Sequence, residues 1–152
     1  MILAIDPGNT QSAYALLDAE LRPVSFGIML NEMLLEKLYS QEFYYDDLAI
    51  EMVASYGMPV GREVFDTVLW IGRFYEAAHG DKHLVFRMEE KINLCHDSRA
   101  KDANIRQALI DRFGPVGTKK DPGWFYGVKK DVWAAIAVGV TLADKLKGED
   151  HD

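Results

Sequence analysis

Three acidic residues stand where apolar segments of the sequence begin or end. Asp6 follows the apolar run Ile2 to Ile5 and precedes a Pro-Gly turn, Glu51 lies in LAIEMV, and Asp131 precedes VWAAIAVGV. A carboxylate at the end of a buried segment costs free energy unless something compensates its charge. A metal ion, a hydrogen-bonding loop or exposure at a strand end would each do so. The plain alternative is that the acids are strand-end residues and that Asp131 caps a helix.

The elements that would carry these acids are predicted from hydrophobic periodicity and turn residues. Asn31 is expected to cap the first helix. We predict strands over residues 2–5, 12–18, 21–29, 48–53 and 84–88, and helices over 32–42, 62–78, 99–114 and 131–147. A meander followed by alternating helices and short apolar strands predicts an α/β fold with a mixed five-stranded sheet and helices on both faces. We expect one domain over residues 1–147 and a disordered tail over 148–152.

Length and composition are those of an ordinary globular domain. The chain has 152 residues, of which 49% are apolar and 27% charged. No apolar run approaches the roughly 20 residues that a membrane-spanning helix needs, and no signal segment precedes the first strand, so we expect a cytoplasmic protein. Cys95 is the sole cysteine, which excludes an intrachain disulfide, and Cys95 with His96 does not make a zinc site.

The charge is unevenly distributed along the chain. The net charge of −7 argues at first against a nucleic-acid partner. Residues 87–130, however, hold 10 basic against 6 acidic residues, whereas residues 1–86 hold 5 against 13 and residues 131–152 hold 2 against 5. A basic stretch in an acidic chain is typical of a phosphate-binding surface, and also of a solvated face.

The order and spacing of several segments resemble the RuvC-like Holliday junction resolvases of the ribonuclease H superfold, particularly the short bacteriophage forms. The matching segments are ILAIDPGNT, LAIEMV, RAKDANIRQALIDRF and KKDVWAAIAVGV, and the resemblance covers Ile2 to about Lys147. It implies a ribonuclease H-like fold and a Mg²⁺-dependent crossover junction endodeoxyribonuclease. Such an enzyme would cut four-way and other branched DNA in the cytoplasm of a bacterium or a phage-infected host.

The resemblance also implies a set of catalytic residues. Asp6, Glu51 and Asp131 fall on the metal-binding carboxylates of the family, which would hold two Mg²⁺ ions, with Mn²⁺ as a substitute. One ion would activate water and the other would neutralise the leaving 3′ oxygen. The family commonly carries an acid or a histidine one turn before the last aspartate, where this chain has Val128. Asp102 or Lys130 could supply the missing group.

The resemblance gives the basic stretch a role in binding DNA phosphates. We expect phosphate contacts from Arg99, Lys101, Arg106, Lys119, Lys120, Lys129 and Lys130. Trp124, in the loop PGWFYG, and Tyr56, in the loop after Glu51, could stack on unpaired bases. An aromatic cluster of this kind more often fills the core beneath a loop.

The helix predicted over residues 62–78 has a broader apolar arc than one sheet contact requires, with Ile71 in the stripe expected to be exposed. The resemblance implies a homodimer through this helix. The alternative is that the C-terminal helix covers the arc within one chain.

Three other functions match parts of the sequence. DPGNT also resembles the first phosphate loop of actin-like ATPases, but the chain is short for that fold and has no second glycine-rich phosphate loop. An RNA-processing nuclease of the same superfold typically carries an arginine soon after the first glycine, which is absent from Asn9 to Ala13. A non-catalytic or weakly catalytic branched-DNA-binding protein is favoured by the missing fourth group and disfavoured by the intact set of three acids.

Overall fold

A computed structural model describes residues 1–150 of the chain. These residues form one five-stranded sheet in the order β3-β2-β1-β4-β5. The strands are β1 (Ile2–Asp6), β2 (Gln11–Leu17), β3 (Pro23–Leu30), β4 (Asp47–Met52) and β5 (Asp81–Phe86). β1, β2 and β3 pair in antiparallel fashion, whereas β4 and β5 run parallel to β1. The predicted mixed five-stranded sheet is confirmed.

Five helices cover the two faces of this sheet in the described residues. They are α1 (Asn31–Tyr39), α2 (Arg62–Ala77), α3 (Arg87–Cys95), α4 (Asp102–Phe113) and α5 (Val132–Asp150). Helices α1 and α2 contact one face, and α3, α4 and α5 contact each other and the opposite face. No helix in residues 1–150 is long and apolar enough to cross a membrane.

The alternation of side chains along the central strand divides the core into two clusters. Leu3 and Ile5 of β1 pack on the face covered by α1 and α2, and Ile2 and Ala4 pack on the face covered by α5. Because successive strand residues point to opposite faces, Asp6 continues the row of Ile2 and Ala4 and points to the α5 face.

Small residues bring α5 close to the sheet. Ala4 on β1 and Ala49 on β4 are fully buried beneath it. A Cβ added to Gly139 of α5 would lie 2.6 Å from Leu17 Cδ1 and 3.0 Å from the Ala4 Cβ, so only glycine fits without movement. The apolar helix predicted after Asp131 therefore packs directly over the central strands.

Two local predictions were wrong, and both errors concern residues near the acids. The strand predicted over residues 84–88 ends at Phe86, and Arg87 begins the unpredicted helix α3. The residue before α1 is Leu30, and Asn31 is the first helical residue, with its buried side chain bonded elsewhere. Of the predicted tail over residues 148–152, residues 148–150 continue α5, and residues 151 and 152 lie outside the described residues.

Candidate functional site

Strand register places Asp6 and Glu51 side by side. β1 and β4 are parallel, with Ala4 level with Ala49 and Ile5 level with Ile50, so the next residues along the two strands are Asp6 and Glu51. The Glu51 carboxyl lies close enough to raise the pKa of Asp6. The carboxyl ends of two adjacent central strands thus present two acids on the α5 face of the sheet.

The third predicted acid, Asp131, enters this site from the start of α5. It lies in the turn immediately before the helix, and its carbonyl accepts the Ala135 N–H at 3.1 Å. Its side chain is exposed, yet it lies close enough for its charge to raise the pKa of Asp6. The structure therefore brings Asp6, Glu51 and Asp131 to one region, with Asp131 on the solvent side.

The turn after Asp6 is held by a buried hydrogen-bond network that was not predicted. The fully buried Asn31 donates from Nδ2 to the Gly8 carbonyl at 2.9 Å, and its Oδ1 accepts the Ser12 hydroxyl at 2.6 Å. The Gly8 N–H in turn donates to Ser12 Oγ at 3.1 Å. These bonds fix the turn and so orient the strand end that carries Asp6.

A fourth carboxylate, on Glu90 of α3, lies beside Glu51 and was missed in the sequence. Glu90 is fully buried, and neither of its side-chain oxygens has a hydrogen-bond partner. Burial, followed by the neighbouring Glu51 carboxyl, raises the pKa of Glu90 to about 10. Burial, followed by the Glu51 and Asp131 charges, raises the pKa of Asp6 to about 8. Asp6 and Glu90 therefore resist ionisation because they are buried beside another carboxyl group.

Arg87, the first residue of α3, is the cation nearest to these buried acids. Its Nη1 lies 3.6 Å from Glu51 Oε1 and 3.6 Å from Glu90 Oε1, too far for a hydrogen bond. Its Nη2 contacts the carboxylate of Asp102, whose side chain is largely exposed. Arg87 lowers the pKa values of Asp6 and Glu90 but does not restore them to the usual range.

The donor chemistry of the site fits a hard divalent cation. Mg²⁺ prefers carboxylate oxygens, and Glu51 Oε1 and both Glu90 oxygens are buried without a hydrogen-bond partner. Across residues 1–150, however, no three Asp, Glu, His or Cys side chains are already arranged to hold a metal ion. A cation bound here would have to draw the carboxylates together, in competition with Arg87.

The residues predicted as the fourth metal-site group or as phosphate contacts do not all lie at one site. A cleft of about 60 Å³ beside Asp131 is lined by Arg87, Asp102, Ile105, Arg106, Lys130, Asp131, Trp133 and Ala134. The Arg106 guanidinium lies 4.7 Å above the Trp133 ring, on the wall of this cleft. Lys129 joins Lys130 along an adjacent groove. Arg99, Lys101, Lys119 and Lys120 are exposed but do not line the cleft.

The two aromatic candidates occupy different environments. Trp124 is half-buried, with its ring stacked on Phe113 at a centroid distance of 5.3 Å and packed against the core. Its neighbour Phe125 is fully buried. Tyr56 is 64% exposed, in the loop that follows β4. Tyr56 is therefore the freer of the two for base stacking.

The outer face of α2 carries exposed apolar side chains. Phe65 is 64% exposed and Leu69 is 63% exposed. Ile71, which was expected to be exposed, is 3% exposed and packs towards the sheet with Phe74. A neighbouring groove of about 270 Å³ is lined by Met52, Val68, Ile71, Gly72, Tyr75 and Leu84. α5 covers the opposite face of the sheet and leaves this surface open.

No protein-family model and no curated protein matches the chain. Solved structures do match it. RuvC of T. thermophilus in complex with a Holliday junction substrate has a TM-score of 0.73 at 15% identity, over 97% of this chain and 95% of that chain. A second Thermus thermophilus RuvC structure has a TM-score of 0.70 at 15% identity, over 97% and 96% of the two chains.

A viral resolvase shares the same architecture at lower similarity. The Fowlpox virus resolvase in complex with substrate Holliday junction DNA has a TM-score of 0.56 at 11% identity, over 95% of this chain and 99% of that chain. A mixed five-stranded sheet with helices on both faces, shared over nearly the whole length, defines a ribonuclease H-like fold. Within that class, the chain has the RuvC-like resolvase fold, as the sequence resemblance implied.

Proposed function

We propose that the chain is a metal-dependent, structure-selective endonuclease that cuts four-way junctions and other branched DNA. The observation that carries the proposal is the gathering of Asp6, Glu51 and Asp131 at the carboxyl ends of β1 and β4 and the start of α5. The chain that carries these acids has the fold found in two resolvases whose structures contain Holliday junction DNA. The function thus rests on the acids and the fold taken together.

The three acids would hold two Mg²⁺ ions, which Mn²⁺ could replace. When bound, such ions would lower the pKa of an attacking water and neutralise charge on the scissile phosphate and its leaving 3′ oxygen. Glu51, between Asp6 and Glu90, is the residue best placed to share its carboxylate. Because Asp131 is exposed to solvent, it would contact the metal and the phosphate on the side from which DNA would bind.

Basic residues beside Asp131 would guide the DNA backbone into the site. Arg106 and Lys130 line the cleft that contains Asp131, and Lys129 continues the basic surface away from it. Contacts of this kind provide affinity that depends on salt and not on base sequence. Selection of branched DNA would then come from shape, and from stacking of an unpaired base on an exposed ring such as Tyr56.

Cleavage of labelled substrates tests this function directly. A four-way junction, a fork and a linear duplex of matched sequence are incubated with the protein in Mg²⁺, in Mn²⁺ and in EDTA. We expect metal-dependent cuts near the branch point, lost in Glu51→Gln and retained in Glu36→Gln, an exposed acid of α1. Junction binding without cleavage under every condition would favour a non-catalytic DNA-binding protein, and equal cleavage of the duplex would overturn structure selectivity.

We also propose that the active form is a homodimer through α2. The exposed Phe65 and Leu69 form an apolar surface on this helix, which a second copy of the chain would cover. A four-way junction has two-fold symmetry, and a dimer with C2 symmetry supplies two related active sites through one self-complementary interface.

Sedimentation tests the assembly. We expect the wild type to sediment as a dimer at micromolar concentration and Leu69→Glu as a monomer that makes single, uncoupled cuts. Met33→Glu is the matched control, because Met33 is 50% exposed on a different helix, α1. A wild type that is monomeric while making paired cuts would contradict this interface.

A further inference from the structure

We propose that Glu90 is a ligand of the metal centre and supplies its fourth carboxylate. The inference deepens the proposed function and rests on it, since it assigns a further ligand to the same site. Glu90 lies on α3, the helix that the sequence did not predict, and not on α5.

Glu90 is a buried acid without a hydrogen-bond donor, which is the environment expected of a metal ligand before the metal binds. Its side chain is fully buried, and both carboxylate oxygens lack a hydrogen-bond donor. An acid is almost never fully buried unless it is paired or coordinates a metal. The oxygens lie next to Glu51, whose own Oε1 is buried and without a partner. Three buried oxygens of Glu51 and Glu90 therefore lack a hydrogen-bond partner, and one oxygen of each residue lies 3.6 Å from the same Arg87 nitrogen.

The adjacent residue on the same helix shows what an ordinary structural acid looks like here. Glu89 accepts the Phe86 N–H at 2.7 Å through Oε2 and pairs with Lys145 at 2.9 Å through Oε1. Both of its oxygens are satisfied, and its side chain is partly exposed. Glu90 has neither a capping role nor a hydrogen-bonded ion pair, so helix stability does not account for it.

Arg87 gives Glu90 only partial compensation. The guanidinium stands 3.6 Å from both Glu51 and Glu90, and its other nitrogen contacts the exposed Asp102. One positive charge faces the carboxyl groups of Asp6, Glu51 and Glu90, with Asp131 nearby. When ionised, these four carboxylates match the charge of two divalent cations. Arg87 could then pair with Asp102 alone, away from the cations.

The side of the site nearest α5 provides no further ligand. Val128 precedes the turn that leads to Asp131 and is a buried apolar residue. Asp102, which the sequence suggested, is held at the surface by Arg87. Glu90 is therefore the remaining acid in contact with the predicted ligands.

Mn²⁺ binding to the full chain tests the assignment without relying on cleavage. Isothermal titration and Mn²⁺ electron paramagnetic resonance are applied to the wild type, Glu90→Gln and Glu89→Gln. We expect Glu90→Gln to weaken Mn²⁺ binding at one or both sites by at least about tenfold and to change the resonance spectrum. Glu89→Gln should leave both unchanged. Thermal unfolding with and without Mn²⁺ shows that each variant is folded.

The glutamine variant separates a ligand from a merely structural residue. Gln has the shape of Glu and can donate a hydrogen bond to Glu51, so a residue that only positions Glu51 would keep wild-type affinity. Glu90→Asp retains the charge at a shorter reach and should bind Mn²⁺ more tightly than Glu90→Gln.

Three outcomes overturn the inference. Wild-type affinity in Glu90→Gln, or equal affinity in Glu90→Asp and Glu90→Gln, would overturn it while leaving the proposed function standing. Absence of Mn²⁺ binding by the wild type would overturn both.

Discussion

Replacing Asp6 by Asn should stabilise the metal-free protein, and increasingly so as the pH rises. Burial, followed by the charges of Glu51 and Asp131, raises the pKa of Asp6 to about 8 in the folded chain, against 3.8 as its ordinary value. Above the ordinary pKa, the unfolded chain releases this proton and the folded chain retains it. Stability is therefore lost as the pH rises, until the folded-state pKa is reached.

The size of the effect follows from proton linkage. A folded state that retains one proton more than the unfolded state loses about 1.4 kcal/mol of stability per pH unit. Between about pH 5.5 and 7.5 the wild type should thus lose about 2.7 kcal/mol relative to Asp6→Asn. For a chain of this length that corresponds to a relative shift in Tm of about 5 to 10 °C. The acids with lowered pKa values, Glu89 and Asp144, lose their stabilising effect only at lower pH and do not interfere.

Thermal unfolding in EDTA at several pH values measures this difference. Glu36→Gln removes an exposed acid of α1 and should follow the wild type throughout. Saturating Mn²⁺ should reduce the difference, because only a chain with its ligands intact gains binding energy: about 2.7 kcal/mol when Mn²⁺ is at a hundred times its Kd. A difference in Tm between Asp6→Asn and the wild type that is independent of pH would refute the reasoning.

Three further perturbations probe the packing and the DNA surface. Gly139→Ala should cost about 1 to 3 kcal/mol through overpacking in denaturant titrations, whereas Gly148→Ala on the same helix, with nothing within 4 Å, should not destabilise. Asn31→Ala should cost about 2 kcal/mol in the same titrations, because it leaves the buried Ser12 hydroxyl without an acceptor and the Gly8 carbonyl without its Asn31 donor. Replacing Lys119 and Lys120 together by Ala should lower the slope of log K against log salt by about 1.8 in anisotropy titrations of a labelled junction. An unchanged slope would remove this turn from the DNA surface.

The fold and the positions of the three acids could be predicted because their signals are local. The run Ile2 to Ile5 and the segment LAIEMV are short, apolar and bounded by polar or turn residues, which is enough to identify two buried strands. The nearly continuous apolar sequence after Asp131 similarly requires a helix packed on the sheet. Those elements lie where they were expected.

Helix α3 and the burial of Glu90 could not be predicted because no local signal marks them. Arg87 and Met88 follow the apolar run of β5 without a proline, a glycine or a polar N-cap to mark a boundary. The sequence Glu89-Glu90-Lys91 then has the composition of a solvated surface. The packing of α3 against α4 and α5, and not a feature of this segment, encloses Glu90. A weak signal is Glu89, three residues after Phe86, whose carboxylate closes the first turn.

Asn31 illustrates the same limit for a polar residue. Its position before an amphipathic segment is typical of a helix cap, and nothing nearby indicates another role. Its partners are Ser12 and Gly8, some twenty residues earlier, which only the pairing of β2 with β3 brings within reach.

The same close packing that destabilises the metal-free chain would strengthen its hold on cations. Ala4, Ala49 and Gly139 let α5 approach the sheet so closely that the acids at the strand ends are removed from water. In such surroundings the repulsion between carboxylates and their attraction for a cation grow together, because both scale inversely with the local dielectric constant. Relieving the repulsion by widening this packing would therefore weaken metal binding as well. A chain selected for cleavage would retain the tight packing and be least stable when its metal is removed at alkaline pH.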